Sequence, residues 1–203
     1  MFLFCLLITC NYCLQRLFNL GARKIVVANV GPIGCIPYIR DANLKPYEGD
    51  ECVTFPNELA QLFNTQLRSL VEELRTKLEE SLFVYADVYH IMEDILLNYK
   101  DYGLWHFVYF FISVPRIHSH LWIKIVTSTG FENPDSACCH MAGRFGGLIP
   151  CNRGSKVCED RSKYVFWDTY HPSDAASVVI AERLLNCDTR DISPMNIYQL
   201  SKA

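Results

Sequence analysis

The chain has 203 residues, half of them apolar, which suits one domain with a sizeable core. A formal charge of −3 and a pI near 6.1 remove any electrostatic case for nucleic acid or an anionic membrane as partner. Ten cysteines is a high count; Cys35, Cys52, Cys138, Cys139, Cys151 and Cys158 lie in loop-like contexts, which points to disulfides made in an oxidising compartment. Their spacings do not match the paired ligands of a zinc site.

In chain order, Met1 to Cys10 is almost entirely apolar. It lacks a basic start and a small-residue cleavage site, so it reads as a poor signal-like start or as residues foreign to the rest of the chain. The run stops at Asn11, short of the ~20 apolar residues a membrane span requires, and no stable membrane insertion is expected. Leu14 to Leu20 suits a helix end, with Gly21 as its cap. Lys24 to Val30 is a short β-branched run, the signature of a parallel strand buried on both faces. In an open α/β sheet the loop after such a strand faces the ligand crevice, so Asn29, Gly31 and Ile33 are candidate pocket residues.

Thr54 to Glu80 reads as one long amphipathic helix, with Leu59, Leu62, Phe63, Leu67, Leu70, Leu74 and Leu78 on its apolar side. Ser81 to Ala86 is the next strand, which makes a βαβ unit. Asp87 suits the cap of a short helix ending near Asn98. Leu104 to Gly130 does not fit its surroundings: it is rich in aromatics and has no acidic residue or cysteine. His106, His118 and His120 have no cysteine or carboxylate near enough to complete a metal shell. Deleting the block joins Gly103 to Phe131 smoothly. It therefore reads as an insertion, such as an intron translated in frame; the alternative is an apolar lid. Glu132 to Asp160 is a cysteine-bearing loop. The tail from Cys187 to Ala203 is polar and should pack lightly.

The chemistry sits in Phe166-Trp-Asp-Thr-Tyr-His-Pro172. On a strand-to-helix corner, Asp168 can reach Nδ1 of His171 and fix its tautomer, leaving Nε2 to take a proton from a hydroxyl. Asp168 and His171 are thus candidates for the orienting acid and the general base of a nucleophilic triad.

This stretch resembles the C-terminal Asp-x-x-His-Pro block of the GDSL esterases and lipases, the SGNH hydrolases, in their plant branch. Two further segments resemble the same family: Gly21-Ala-Arg-Lys-Ile-Val-Val-Ala-Asn-Val-Gly-Pro-Ile-Gly-Cys-Ile-Pro37, and Ala137-Cys-Cys-His-Met-Ala-Gly-Arg-Phe-Gly-Gly-Leu-Ile-Pro-Cys151 followed by Cys158. The resemblance implies a three-layer α/β/α, flavodoxin-like parallel sheet. Here residues 17–203 would be a partial domain lacking its N-terminal strands, with residues 1–16 outside it and 104–130 inserted. It also implies a secreted hydrolase of carboxylic esters, with an acyl ester or lipid as substrate and no cofactor or metal. Nothing in the sequence sets an oligomeric state. Proximity suggests Cys35 with Cys52, and Cys138 and Cys139 with Cys151 and Cys158, the order of the last two pairs being open.

The family's nucleophile is the serine of a Gly-Asp-Ser motif, and an oxyanion donor comes from a Gly-x-Asn-Asp motif. Neither motif occurs in these residues; Gly49-Asp50 is followed by Glu51. The chain alone is therefore expected to be inactive, and its first strand, left as an apolar edge, to be an aggregation hazard. A second reading keeps the pocket walls as a non-catalytic ester-binding module. A third has His171 activate a thiolate at Cys138 or Cys139.

Overall fold

The computed structural model describes residues 2–43, 52–102, 105–113, 120–128, 130–186 and 189–203, with the backbone alone for 105–113 and 120–128. Helix α1 (Phe2–Asn19) leads into β1 (Lys24–Ala28). Gly21, at φ +99, ends the helix: its N–H donates to the Phe18 carbonyl, and that of Ala22 to Leu17. Only a residue without Cβ takes that left-handed turn cheaply. The apolar start is not separate from the helix. Leu3, Leu7, Cys10 and Leu14, at spacings of four and three, form one stripe against the core, and α1 runs unbroken through Arg16 and Leu17.

Next come a short α2 (Pro37–Ala42), the long α3 (Thr54–Lys77), β2 (Leu82–Ala86) and α4 (Val88–Leu97). β1 and β2 pair in parallel, Ile25 opposite Phe83 and Val27 opposite Tyr85. Ile25, Phe83 and Tyr85 pack with Leu67, Val71 and Leu74 of α3 and with Leu14. The alternate residues of β2, Val84 and Ala86, face a second layer through Ile192 and Leu200. The sheet thus lies between helical layers, an α/β architecture.

β1 departs from expectation on one face. Ile25 is buried but Val26 is 40% exposed, because the layer that covers Val84 and Ala86 does not extend over β1 among the described residues. There β1 has β2 as its one strand partner, and the next position in the sheet is open.

The stretch after Tyr102 is a β-hairpin, β3 (Trp105–Ser113) against β4 (His120–Ser128), in an unbroken antiparallel register. The chain returns close to where it left. The Phe131 N–H donates to the carbonyls of Tyr102 at 2.7 Å and Tyr99 at 2.9 Å, and the Phe131 side chain is buried in the core. His118 lies outside the described residues, as do the side chains of His106 and His120.

β5 (Asn133–Ala137), β6 (Cys139–His140) and β7 (Lys156–Val157) frame the cysteine-bearing loop. β8 (Tyr164–Phe166) pairs with β5 in parallel and leads through the Asp-His corner to α5 (Asp174–Asn186). The tail is more than a light polar covering. β9 (Ile192–Ser193) joins β2 antiparallel, Ile192 and Asp191 are buried, and α6 (Ile197–Lys202) seats Leu200 in the core. Two apolar residues at the right separation suffice for this, too few to stand out as a pattern in a polar run.

Candidate active site

The Asp-His corner is a closed turn. The Trp167 N–H donates to the His171 carbonyl at 2.9 Å and the Ser173 N–H to Val165 at 2.8 Å, while Phe166 and Pro172 bridge antiparallel. Ser173 then starts α5, its hydroxyl accepting from the Ala176 N–H. Inside the turn the Asp168 carboxylate accepts from the backbone N–H groups of Tyr170 at 2.9 Å and His171 at 2.8 Å. It lies 2.9 and 3.0 Å from Nδ1 of His171. Asp168 is thereby held by its own loop and in turn holds the ring.

The two side chains differ in exposure: 18% for Asp168 and 70% for His171. Among the described residues no hydrogen bond engages Nε2. Burial alone would raise the Asp168 pKa; the two backbone donors and the imidazole outweigh it and hold the carboxyl below its usual 3.8. Such a depressed group contributes stability that is complete above the ordinary pKa and lost as pH falls through the lower, folded one. The stability gap between the native protein and Asp168→Asn should therefore be full at pH 6 and close below pH 3.8, as denaturant melts across that range would show. A gap that widened on acidification would refute the assignment.

The corner is braced from two sides. The Cys138 N–H donates to Phe166 and the Cys139 N–H to Trp167, so the strand that carries both cysteines lies alongside the approach to Asp168. Disulfides Cys138–Cys158 and Cys139–Cys151 staple that strand to its own loop, and Cys35–Cys52 closes a third loop elsewhere. With both sulfurs in disulfides, Cys138 and Cys139 offer no thiolate, which removes the cysteine-nucleophile reading. From the other side α2 reaches the buried Thr169: the Tyr38 N–H donates to its carbonyl at 3.1 Å, and the Tyr38 ring lies 5.3 Å from that of Tyr170.

α2 also carries Asp41, whose carboxylate accepts from the backbone of Phe145 and Gly147, and Arg40, which pairs with Asp135 and covers the Phe145 ring. The stapled loop comes so close that a Cβ on Gly147 would stand 2.2 Å from the Pro37 backbone. Tyr38, Arg40 and Asp41 gave no signal in the sequence, since their partners lie about a hundred residues away.

The three candidate pocket residues separate. Gly31 and Ile33 line a cavity of about 220 Å³ whose walls also include Phe166, Tyr170 and Pro172 of the corner. Asn29 lies elsewhere, with its hydrogen bonds used within the fold. Its amide donates to Asp87 and to the Tyr85 hydroxyl, and its carbonyl accepts from the Tyr89 N–H. Asp87 caps α4 through the His90 N–H, so Asn29 ties β1, β2 and α4 together at their shared end. Among the described residues no cluster of His, Cys, Asp or Glu is placed to hold a metal, and no helix is long and apolar enough to cross a membrane. Cys10 and Cys13 form a Cys-x-x-Cys spacing along α1, but both are free thiols. Burial first, and Cys13 second, push the Cys10 pKa up.

Comparison with known proteins places the chain in a family. A family model described as GDSL-like Lipase/Acylhydrolase matches residues 11–184. The chain is 49% identical over 188 residues to GDSL esterase/lipase At4g16230 of Arabidopsis thaliana, covering 93% of this chain and 43% of that protein. It is 42% identical to GDSL esterase/lipase At2g23540 of the same plant, covering 92% of this chain and 41% of the relative. It is 34% identical to GDSL esterase/lipase 7, also of Arabidopsis thaliana, with 93% and 44% covered. The chain therefore spans less than half the length of these curated relatives.

Proposed function

Because the chain belongs to the GDSL-like lipase/acylhydrolase family, we propose that it is the base-bearing portion of a carboxylic ester hydrolase, with an acyl ester or lipid as substrate. The observation that carries this reading is the Asp168–His171 pair, held by its loop at 2.9 Å with Nε2 turned away from the carboxylate. Asp168 orients the ring and stabilises the imidazolium that forms. His171 takes the proton from a serine hydroxyl as that oxygen attacks the ester carbonyl, then returns it to the leaving alkoxide. The serine and its oxyanion donors come from sequence outside these 203 residues, where no Gly-Asp-Ser or Gly-x-Asn-Asp occurs.

The test compares two proteins on p-nitrophenyl esters: the chain alone, and the chain fused behind the upstream portion of a curated relative. The fusion should hydrolyse the ester and lose that activity with His171→Ala, while the chain alone should be no faster than its own His171→Ala variant. Hydrolysis by the fusion that ignores His171 would overturn the reading. Saturable ester binding by the fusion without turnover would favour a non-catalytic binding module instead.

Two further assignments belong to this reading. Three disulfides and the plant relatives support an oxidising, extracytoplasmic place of work. Residues 104–130 are an insertion into the family domain, a view supported by the return of Phe131 to Tyr102 at 2.7 Å. Deleting them leaves Gly103 to span that gap, and opening or closing a surface loop changes stability only slowly with its length. The deletion variant should melt within about 4 °C of the full chain, equivalent to ~1 kcal/mol at this size. A collapse of the cooperative melt would show instead that the hairpin is part of the fold.

A further inference from the structure

We propose that the exposed rings of Tyr38 and Tyr170 form a docking face for a flat aromatic group of the substrate, so that the enzyme prefers aryl-bearing esters to aliphatic ones. The proposal rests on the assignment of His171 as the base and adds the substrate class. Tyr38 comes from α2 and Tyr170 from the Asp-His corner. Their ring centroids lie 5.3 Å apart, with the planes tilted by 47°. Tyr170 in turn meets the His171 imidazole edge-on, at 6.3 Å and 82°. The face therefore begins beside the base.

Both residues remain open to solvent, 38% for Tyr38 and 44% for Tyr170. Single exposed apolar residues need no explanation, but contiguous apolar surface marks a site of interaction. The backbone beneath is fixed by contacts within the site. The Tyr38 N–H donates to the carbonyl of the buried Thr169, and the Tyr170 N–H donates to Asp168. Ile149 of the stapled loop is exposed as well, and its carbonyl accepts from the Thr169 hydroxyl at 3.4 Å. A ligand thus meets a surface already ordered, with little further loss of motion on binding. Other exposed rings, Tyr12 on α1, Phe55 on α3 and Tyr198 on α6, lie on elements that carry no residue of the corner.

The electronic character of the rings says which ligand fits. An aromatic ring is negative on its face and positive at its edge, so tilted and edge-on pairs at about 4.5–7 Å attract beyond the area they bury. Tyr38, Tyr170 and His171 are already arranged in this way, and an aromatic group laid on the two tyrosines extends the array by one ring. A saturated ring system of the same size buries similar area but has no such charge pattern. The difference should be about fivefold in affinity, within the range measured for aromatic pairs.

The experiment titrates the 203-residue protein with 2-naphthylmethanol and with its saturated analogue, decahydro-2-naphthylmethanol, read by NMR of the tyrosine and histidine ring protons. Neither ligand is an ester, so no nucleophile is needed. The aromatic alcohol should bind about fivefold tighter and should shift the ring protons of His171. Tyr38→Leu and Tyr170→Leu should each bring the preference below about twofold, whereas Tyr38→Phe, which keeps the ring, should preserve it. Equal affinity of the unaltered protein for the two alcohols overturns the face, as does a preference that both leucine variants retain. The two assignments fail separately. An aromatic preference that depends on Tyr38 and Tyr170 supports the face even where ester turnover by the fusion ignores His171. Turnover lost with His171, without any aromatic preference in binding, supports the base and removes the face.

Discussion

Replacing His171 by alanine in a fusion that supplies the serine is expected to lower kcat for ester hydrolysis about a millionfold, and Asp168→Asn about ten-thousandfold. The two losses differ because the two residues do different work. Without the imidazole nothing accepts the serine proton, and the hydroxyl is a poor nucleophile at neutral pH. Without the carboxylate the base remains but is held in the wrong state. An asparagine at 168 can still accept from the Tyr170 and His171 N–H groups, yet it can present its own N–H to Nδ1 and favour the tautomer whose Nε2 carries the proton. Folding should register the His171 change only slightly, since that side chain is 70% exposed and, among the described residues, its ring hydrogen-bonds to Asp168 and otherwise meets only the edge of Tyr170. The check is therefore a pair of measurements, kcat on a p-nitrophenyl ester and the melting temperature. A His171→Ala loss under tenfold, with the fold intact, would remove the residue from the mechanism.

That site was legible because it is local. Asp168 and His171 are three apart, and the loop that holds them closes on itself between Val165 and Ser173. The elements beneath it were legible for a similar reason. The three- and four-residue recurrence along α3 and the β-branched run of β1 are properties of single segments. What braces the site was not legible. Tyr38 meets Thr169, Asp41 meets Gly147, and Cys139 meets Trp167, contacts that join distant segments and leave no period in the sequence. The same holds for the tail, where Ile192 and Leu200 are buried by a chain that otherwise reads as polar. Asn29 lies apart from Gly31 and Ile33 for a subtler reason. Gly31 and Ile33, in the loop after β1, line a cavity together with Phe166, Tyr170 and Pro172 of the corner. Asn29 is the last residue before that loop, and its side chain turns to the α3 side, where Tyr85 and Asp87 take it up.

The largest loss of stability should come from Arg183→Ala, at about 3–5 kcal/mol. Arg183, on α5, is 15% exposed and donates through Nε and Nη2 to both oxygens of Asp191, each at 2.7 Å. Its Nη1 reaches Asp94 of α4 and the Tyr102 hydroxyl. One guanidinium thus ties α4, α5, the lead into β9 and the residue after which the hairpin departs. Truncating it leaves Asp191, 5% exposed, as a buried carboxylate without its counter-charge. Burial, and then the Asp94 carboxylate beside it, push the Tyr102 pKa up to about 12, so that hydroxyl stays neutral and cannot replace the lost cation. The effect has a pH signature. Burial would raise the Asp94 pKa, but Tyr102, Asn98 and Arg183 together hold it below its usual 3.8. Its contribution is complete above that pH and is lost as pH falls through the lower folded value. The gap between the native protein and Arg183→Ala should therefore be widest near neutrality and narrow in acid. At neutral pH it should lower the melting temperature by at least about 6 °C at this chain length. The double replacement Arg183→Met with Asp191→Leu should recover most of that loss, because it removes both charges and refills the space with hydrocarbon. A drop under about 2 °C for the single variant, or a double variant no better than the single, would show that the guanidinium network does not hold these elements together.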